Sequence, residues 1–121
     1  MDEMREIIVD QIMKQPVYSV DVEDTIADAI KKMNEKGTKK ILVMEKGKPV
    51  GVLEKWKILE SDMGKKVKDV ELSNFKVVPL GTVLSALESD LLNYPAIYIF
   101  SPANPNKILG IITAFDLVRA Y

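Results

Sequence analysis

Between Val17 and Met63 the spacing of apolar residues changes in a definite order. VYSV (17–20) alternates as a short strand, and then Ile26, Ala29, Ile30 and Met33 recur at helical spacing. Asp24 or Thr25 stands where an N-cap is needed, and Gly37 where a helix ends in the left-handed conformation. ILVM (41–44) and PVGVL (49–53) then alternate on either side of EKGK, a hairpin turn, and EKWKILESDM (54–63) returns to helical periodicity. The pattern predicts strand, helix, strand, strand, helix.

The same order recurs in the second half. KVV (76–78) is the strand, SALESDLLNY (85–94) the helix, AIYIF (96–100) and ILGIIT (108–113) the hairpin strands, and AFDLVRAY (114–121) the closing helix. Asn93 takes the place of Gly37, since asparagine also tolerates the left-handed helix end, and SPANPNK (101–107) reads as a longer turn. The correspondence extends to residue types. DTIADAI (24–30) matches GTVLSAL (81–87), KPVGVLEKWKIL (48–59) matches KILGIITAFDLV (107–118), and VDQIM (9–13) matches VKDVE (67–71), at offsets of 57, 59 and 58.

The fold class expected is therefore α+β: two pseudo-symmetric β-α-β-β-α repeats, residues 7–63 and 64–121. One repeat is too small to bury both its sheet faces and its helices, so the two are expected to pack sheet on sheet about a pseudo-twofold axis as one module, with two equivalent clefts.

Composition removes many functions. The chain has 121 residues, no cysteine and no histidine, so thiolate metal sites, thiol nucleophiles and the commonest general base and metal ligand are excluded; no catalytic residue and no metal site is expected. No apolar run reaches the roughly 20 residues of a membrane helix, and MDEMREIIVD lacks a signal core, so no membrane contact and a cytoplasmic location are expected. Net charge is −1, but residues 31–68 hold twelve lysines against five acids. That lysine-rich half lacks the aromatic platform of a single-strand binder, and nucleic acid is not the expected partner.

The V-x-x-I-M opening, D-T-I-x-x-A-I and the closing G-I-I-T-x-x-D (110–116), met in order at this period, resemble a tandem pair of cystathionine-β-synthase (CBS) domains, a Bateman module, over residues 7–121. The resemblance implies a regulatory sensing module, not an enzyme. It implies adenine-nucleotide binding (AMP, ADP or ATP, with S-adenosylmethionine as an alternative occupant), no required cofactor, a dimer of pairs, and a regulated protein partner that the sequence does not identify.

By that resemblance Asp116 holds the ribose hydroxyls and Thr113 lies near the phosphate. The chemistry is sound, because a carboxylate accepts two hydrogen bonds from a vicinal diol and helix-start N–H groups favour an anion. The first-half counterparts are Glu54 and Lys57, and an ammonium cannot accept from a diol, so one working inter-repeat cleft is expected. In it the phosphate points toward Thr113 and the first-repeat lysines Lys39, Lys40 and Lys57, and the adenine lies against Val77 and Ile111.

Plainer readings stand beside these. Thr113 and Asp116 also spell a capping box, the lysines also read as a solvated face, Trp56 reads as packing, and SPANPNK as a loop. Leu84, Leu87, Leu91 and Leu92 are many large groups for one short helix. A homodimer through Leu87, Leu91, Phe115, Val118 and Tyr121 is expected, against the alternative that the core absorbs them. The competing function is a ligand-free dimerisation or protein-interaction scaffold.

Overall fold

The computed structural model describes residues 6–120; the acidic opening residues and Tyr121 of the expected dimer face lie outside them. The elements are β1 (Ser19–Asp21), α1 (Ile26–Lys36), β2 (Lys40–Glu45), β3 (Lys48–Glu54), α2 (Lys55–Ile58), β4 (Lys76–Pro79), α3 (Glu88–Asn93), β5 (Ile97–Ser101), β6 (Asn104–Ile112) and α4 (Ala114–Ala120). Short 3-10 turns at Val9–Gln11, Val67–Asp69 and Leu84–Leu87 complete them. The fold is α+β, with two three-stranded sheets ordered β1-β2-β3 and β4-β5-β6. In each the first pair is parallel and the second an antiparallel hairpin, as the repeated pattern requires.

The chain divides into two compact units, but not at the end of the first repeat: one is Tyr18–Asn74, and the other joins the segment up to Val17 to the chain from Phe75 onward. Hydrogen bonds within each unit give the reason. In the Tyr18–Asn74 unit the amides of Ile26 and Ala27, left unpaired at the start of α1, donate to the carbonyls of Lys65 and Met63 at 2.8 and 3.0 Å. In the other unit Leu84 N–H donates at 2.7 Å to Ile7, supplied by the N-terminal segment. Residues 7–14 thus do for the second half what 65–73 do for the first, and the paired 3-10 turns place buried Val9 and Val67 at corresponding positions.

This capping also explains why α2 is four residues long where the periodicity of 54–63 predicts a longer helix: the chain after it is drawn away to cap α1. Thr25 and Asp28 form the full reciprocal capping box of α1, and Gly37 ends it at φ 67°. Asn93 departs from its expected role. Lys46 is the only non-glycine with positive φ among the described residues, and the Asn93 amide instead donates to the Ser89 carbonyl at 3.0 Å.

The EKGK turn is a two-residue connection with Lys46 at φ 51° and Gly47 at φ 79°, the pair of positive angles of a type I′ hairpin. SPANPNK is less of a loop than its composition suggests. β6 starts at Asn104, paired with Ser101, and Pro105 is tolerated because β6 is an edge strand whose register shifts twice beside Phe100.

Each unit has its own apolar core. Ile26, Ala29 and Met33 of α1 pack on Val20, Ile41, Val43 and Leu53. Leu84, Leu87 and Leu91 pack on Val78, Ile97, Ile99 and Ile112. Leu87 and Leu91, each 3% exposed, are therefore core residues and not a free dimer face. Leu92, Phe115 and Val118 remain exposed, and so do Trp56 and Leu59, which occupy the positions in the first repeat that match Phe115 and Val118.

One glycine in each hairpin is needed for close approach. A Cβ on Gly51 would lie 2.7 Å from the Leu72 Cβ, and one on Gly110 2.7 Å from the Met13 Cγ. The segments before β1 and β4 lie flush on these strands, joined by paired backbone bonds between Val52 and Ser73 and between Ile111 and Lys14. Gly51→Ala and Gly110→Ala are each expected to cost about 1–3 kcal/mol in urea unfolding. Wild-type stability in either variant would mean that its segment does not rest on the glycine.

Candidate functional site

The end of β6 delivers Thr113 and the start of α4 delivers Asp116, three residues on. Asp116 is one of the few buried polar residues, its side chain 4% exposed. Its Oδ2 accepts from the Thr113 backbone N–H at 2.9 Å and from the Thr113 hydroxyl at 3.3 Å. Only half of the expected capping box therefore forms: the acid caps the turn, while the threonine hydroxyl turns to the acid and not to the helix.

The other oxygen, Oδ1, lies 3.4 Å from the ammonium of Lys14. Lys14 is held there by its backbone, which donates to Ile111 O at 2.9 Å and accepts from Ile111 N at 3.1 Å. Its side chain is 55% exposed, and its ammonium sits 5.8 Å from the Phe115 ring centroid, with the Arg119 guanidinium 5.5 Å from the same centroid. Asp116 and Arg119, with Gln11, Ile12 and Ala120, line a cavity of about 270 Å³. That is near the lower end of small-molecule sites, roughly 300 Å³. A buried carboxylate beside two cations suits a ligand bearing both hydroxyls and negative charge.

The corresponding place in the Tyr18–Asn74 unit is closed on itself. Ser73, the counterpart of Lys14, donates its hydroxyl to Glu54 Oε2 at 2.6 Å and accepts from the Lys57 ammonium at 3.0 Å. Lys57 lies 3.7 Å from the same Glu54 oxygen, and the Trp56 indole donates to Oε1 at 3.2 Å. Each unit thus assembles an acid, an ammonium and a hydroxyl at three matching positions, in permuted order: Asp116, Lys14 and Thr113 in one, Glu54, Lys57 and Ser73 in the other. Burial pushes the Glu54 carboxyl upward, but hydrogen bonds from Ser73 and Trp56, with the charges of Lys57 and Lys40, outweigh it and leave the group below its ordinary value of 4.5.

Of the residues expected from the sequence, Thr113 and Asp116 are in contact. Val77 and Ile111 stand on either side of Tyr98 in one row across the second sheet, Val77 pairing with it in parallel and Ile111 antiparallel. Tyr98 is fully buried, its ring edge-on to Phe75 at 5.9 Å, and its hydroxyl has no hydrogen-bond partner among the described residues. Burial raises its pKa. Lys39, Lys40 and Lys57 belong to the Tyr18–Asn74 unit. Lys39 is exposed at the mouth of β2, Lys40 pairs in register with Glu54, and Lys57 is engaged by Ser73 and Glu54.

Sequence reasoning missed Lys14 and Ser73. The signal was present: the match of 9–13 with 67–71, carried two residues further with the one-residue slip seen between the glycines, aligns Lys14 with Ser73. Among the described residues no group of acids, cysteines or histidines could hold a metal ion, and no helix is long and apolar enough to cross a membrane.

Residues 9–64 match the family model for the CBS domain. The paired β-α-β-β-α architecture is shared with solved CBS structures across nearly the whole chain. Its fold is that of a CBS-domain pair. A hemolysin-like protein containing a CBS domain from Oenococcus oeni is 20% identical with a TM-score of 0.82, over 97% of this chain and 91% of that one. The CBS domains of a transcriptional regulator from Streptococcus pneumoniae are 15% identical with a TM-score of 0.77, over 93% and 98%. The CBS domain of a bacterial CNNM/CorC family Mg2+ transporter is 18% identical with a TM-score of 0.78, over 93% and 73%. At these identities the likeness is one of fold. No curated protein sequence is significantly similar to this chain.

Because Glu54 titrates below its ordinary value, its contribution to stability is complete above about pH 4.5 and is lost as pH falls through its lower folded value. Glu54→Gln is expected to flatten the acid limb of a stability–pH profile measured by chemical denaturation. An unchanged acid limb would show that the Glu54, Ser73 and Lys57 cluster is not coupled to folding.

Proposed function

We propose that this CBS pair is a regulatory module that binds an adenine nucleotide (AMP, ADP or ATP, with S-adenosylmethionine as a competing occupant), its ribose on Asp116 and its phosphate toward Thr113. The observation that carries the reading is the Asp116 carboxylate, 4% exposed yet lining a cavity and paired with a lysine whose side chain is half in solvent. A buried acid kept only for structure is ordinarily sealed by fixed partners, as Glu54 is by Ser73 and Trp56. The ribose part rests on the unit that contains Asp116 alone and assigns binding, not turnover. The adenine is assigned to Val77 and Ile111. For Lys39, Lys40 and Lys57 the resemblance remains the support for a phosphate role, and Lys57 already has Ser73 and Glu54 as partners.

Regulation needs no more than a nucleotide that binds one arrangement of the module better than another, the output passing to a second copy or to a regulated protein. A homodimer is part of this reading, supported by the exposed apolar groups Leu92, Phe115 and Val118. The matching exposure of Trp56 and Leu59 also favours a second reading, a scaffold that dimerises without ligand. Sedimentation of Val118→Glu is expected to show a monomer where the wild type is a dimer, and a monomeric wild type would remove the dimer from both readings.

A thermal-unfolding scan against AMP, ADP, ATP and S-adenosylmethionine separates sensor from scaffold. Ligand at about 100 times its Kd stabilises by about 2.7 kcal/mol, an upward shift on the order of 10 °C for a chain of this size. The sensor predicts that shift for at least one of them and its loss in Asp116→Ala. No shift for any, or a shift that survives Asp116→Ala, would contradict the assignment of Asp116.

A further inference from the structure

Both oxygens of Asp116 are engaged, but unequally. Oδ2 is bound by the backbone and hydroxyl of Thr113, which the end of β6 fixes in place. Oδ1 is bound by Lys14 at 3.4 Å. Any hydroxyl that approaches Oδ1 must therefore contend with this ammonium.

The ammonium is well placed to yield. The Lys14 backbone is fixed to Ile111 by two hydrogen bonds, and its neighbour Met13 lies against Gly110 with no room for a Cβ between them, so the main chain has little freedom. The side chain is 55% exposed and can swing into water with little desolvation to reverse. The Phe115 face, 5.8 Å away, gives the cation a nearby resting place. Asp116 has no such freedom: at 4% exposure it needs a replacement donor whenever Lys14 leaves. A vicinal diol brings two.

We propose that Lys14 is an internal competitor for ribose, its ammonium holding Asp116 Oδ1 until a vicinal diol displaces it, so that this residue sets the affinity of the site. The inference rests on the ribose reading of Asp116. It also separates the two units, because Lys57 is shared between Ser73 and Glu54 while Lys14 makes one ion pair with an oxygen that a ligand can take over.

The test is calorimetric titration of AMP, ADP and ATP into wild type, Lys14→Met, Lys14→Gln, Lys14→Arg and Asp116→Asn, each checked for folding by circular dichroism. An ion pair whose cation stands largely in solvent corresponds to about a two- to fivefold change in a binding constant. Lys14→Met and Lys14→Gln are expected to bind about two- to fivefold more tightly although each removes a positive charge from beside an anionic ligand, Lys14→Arg to stay near wild type, and Asp116→Asn to lose binding. Unchanged or weaker binding in both neutral variants, with Asp116→Asn still defective, overturns the competitor role and leaves the ribose reading standing, with Lys14 then a bystander or a phosphate contact. Wild type that binds none of the three, or Asp116→Asn that binds as well as wild type, overturns the ribose reading and the competitor role with it.

Discussion

Met13 rests directly on Gly110, and that close approach determines where the ammonium paired with Asp116 can be. With no side chain at 110, residues 13 and 14 lie flush on β6 and pair with Ile111 in both directions, which brings Lys14 to the carboxylate. Gly51 and Leu72 repeat the arrangement in the other unit and bring Ser73 to Glu54. A methyl group at either glycine would push the segment off its strand and the polar group away from its acid. Packing and chemistry share the same few ångströms of backbone here.

From that shared frame the two units diverge by permutation. Acid, ammonium and hydroxyl occupy three matching positions in each, but the acid stands at the start of α4 in one and at the end of β3 in the other. At 54, next to Ser73, the acid is closed by a hydroxyl, an indole and an ammonium, and nothing is left over for a ligand. At 116 it keeps one oxygen on a solvent-facing lysine. The repeated fold supplies two acid clusters, and three residue differences decide which of them keeps a solvent-facing partner.

Much of the fold was legible in the sequence because each element is signalled locally. Apolar periodicity marks α1 and the strands, Thr25 and Asp28 spell a capping box that forms, and Gly47 marks a hairpin turn at a positive φ that glycine adopts easily. The failures share a cause, in that tertiary hydrogen bonds overrode local pattern. α2 ends early because residues 63 and 65 are drawn to the start of α1; β6 begins early because an edge strand accepts Pro105; and Leu87 and Leu91 are absorbed by a core that period alone cannot measure. Asp116 and Thr113 were readable as a pair three residues apart, whereas Lys14 lies about a hundred residues from its acid, and only the repeat register could have linked them.

The most direct measurement is an amide proton–nitrogen NMR spectrum of the labelled protein, recorded with and without AMP. If Asp116 holds the ribose, the resonances of Thr113 and Asp116 shift together in proportion to occupancy, and Lys14 shifts with them as its ammonium gives way. If the largest shifts fall elsewhere while these three stay in place, or if saturating AMP leaves the whole spectrum unchanged, Asp116 is a helix cap and the central claim is wrong.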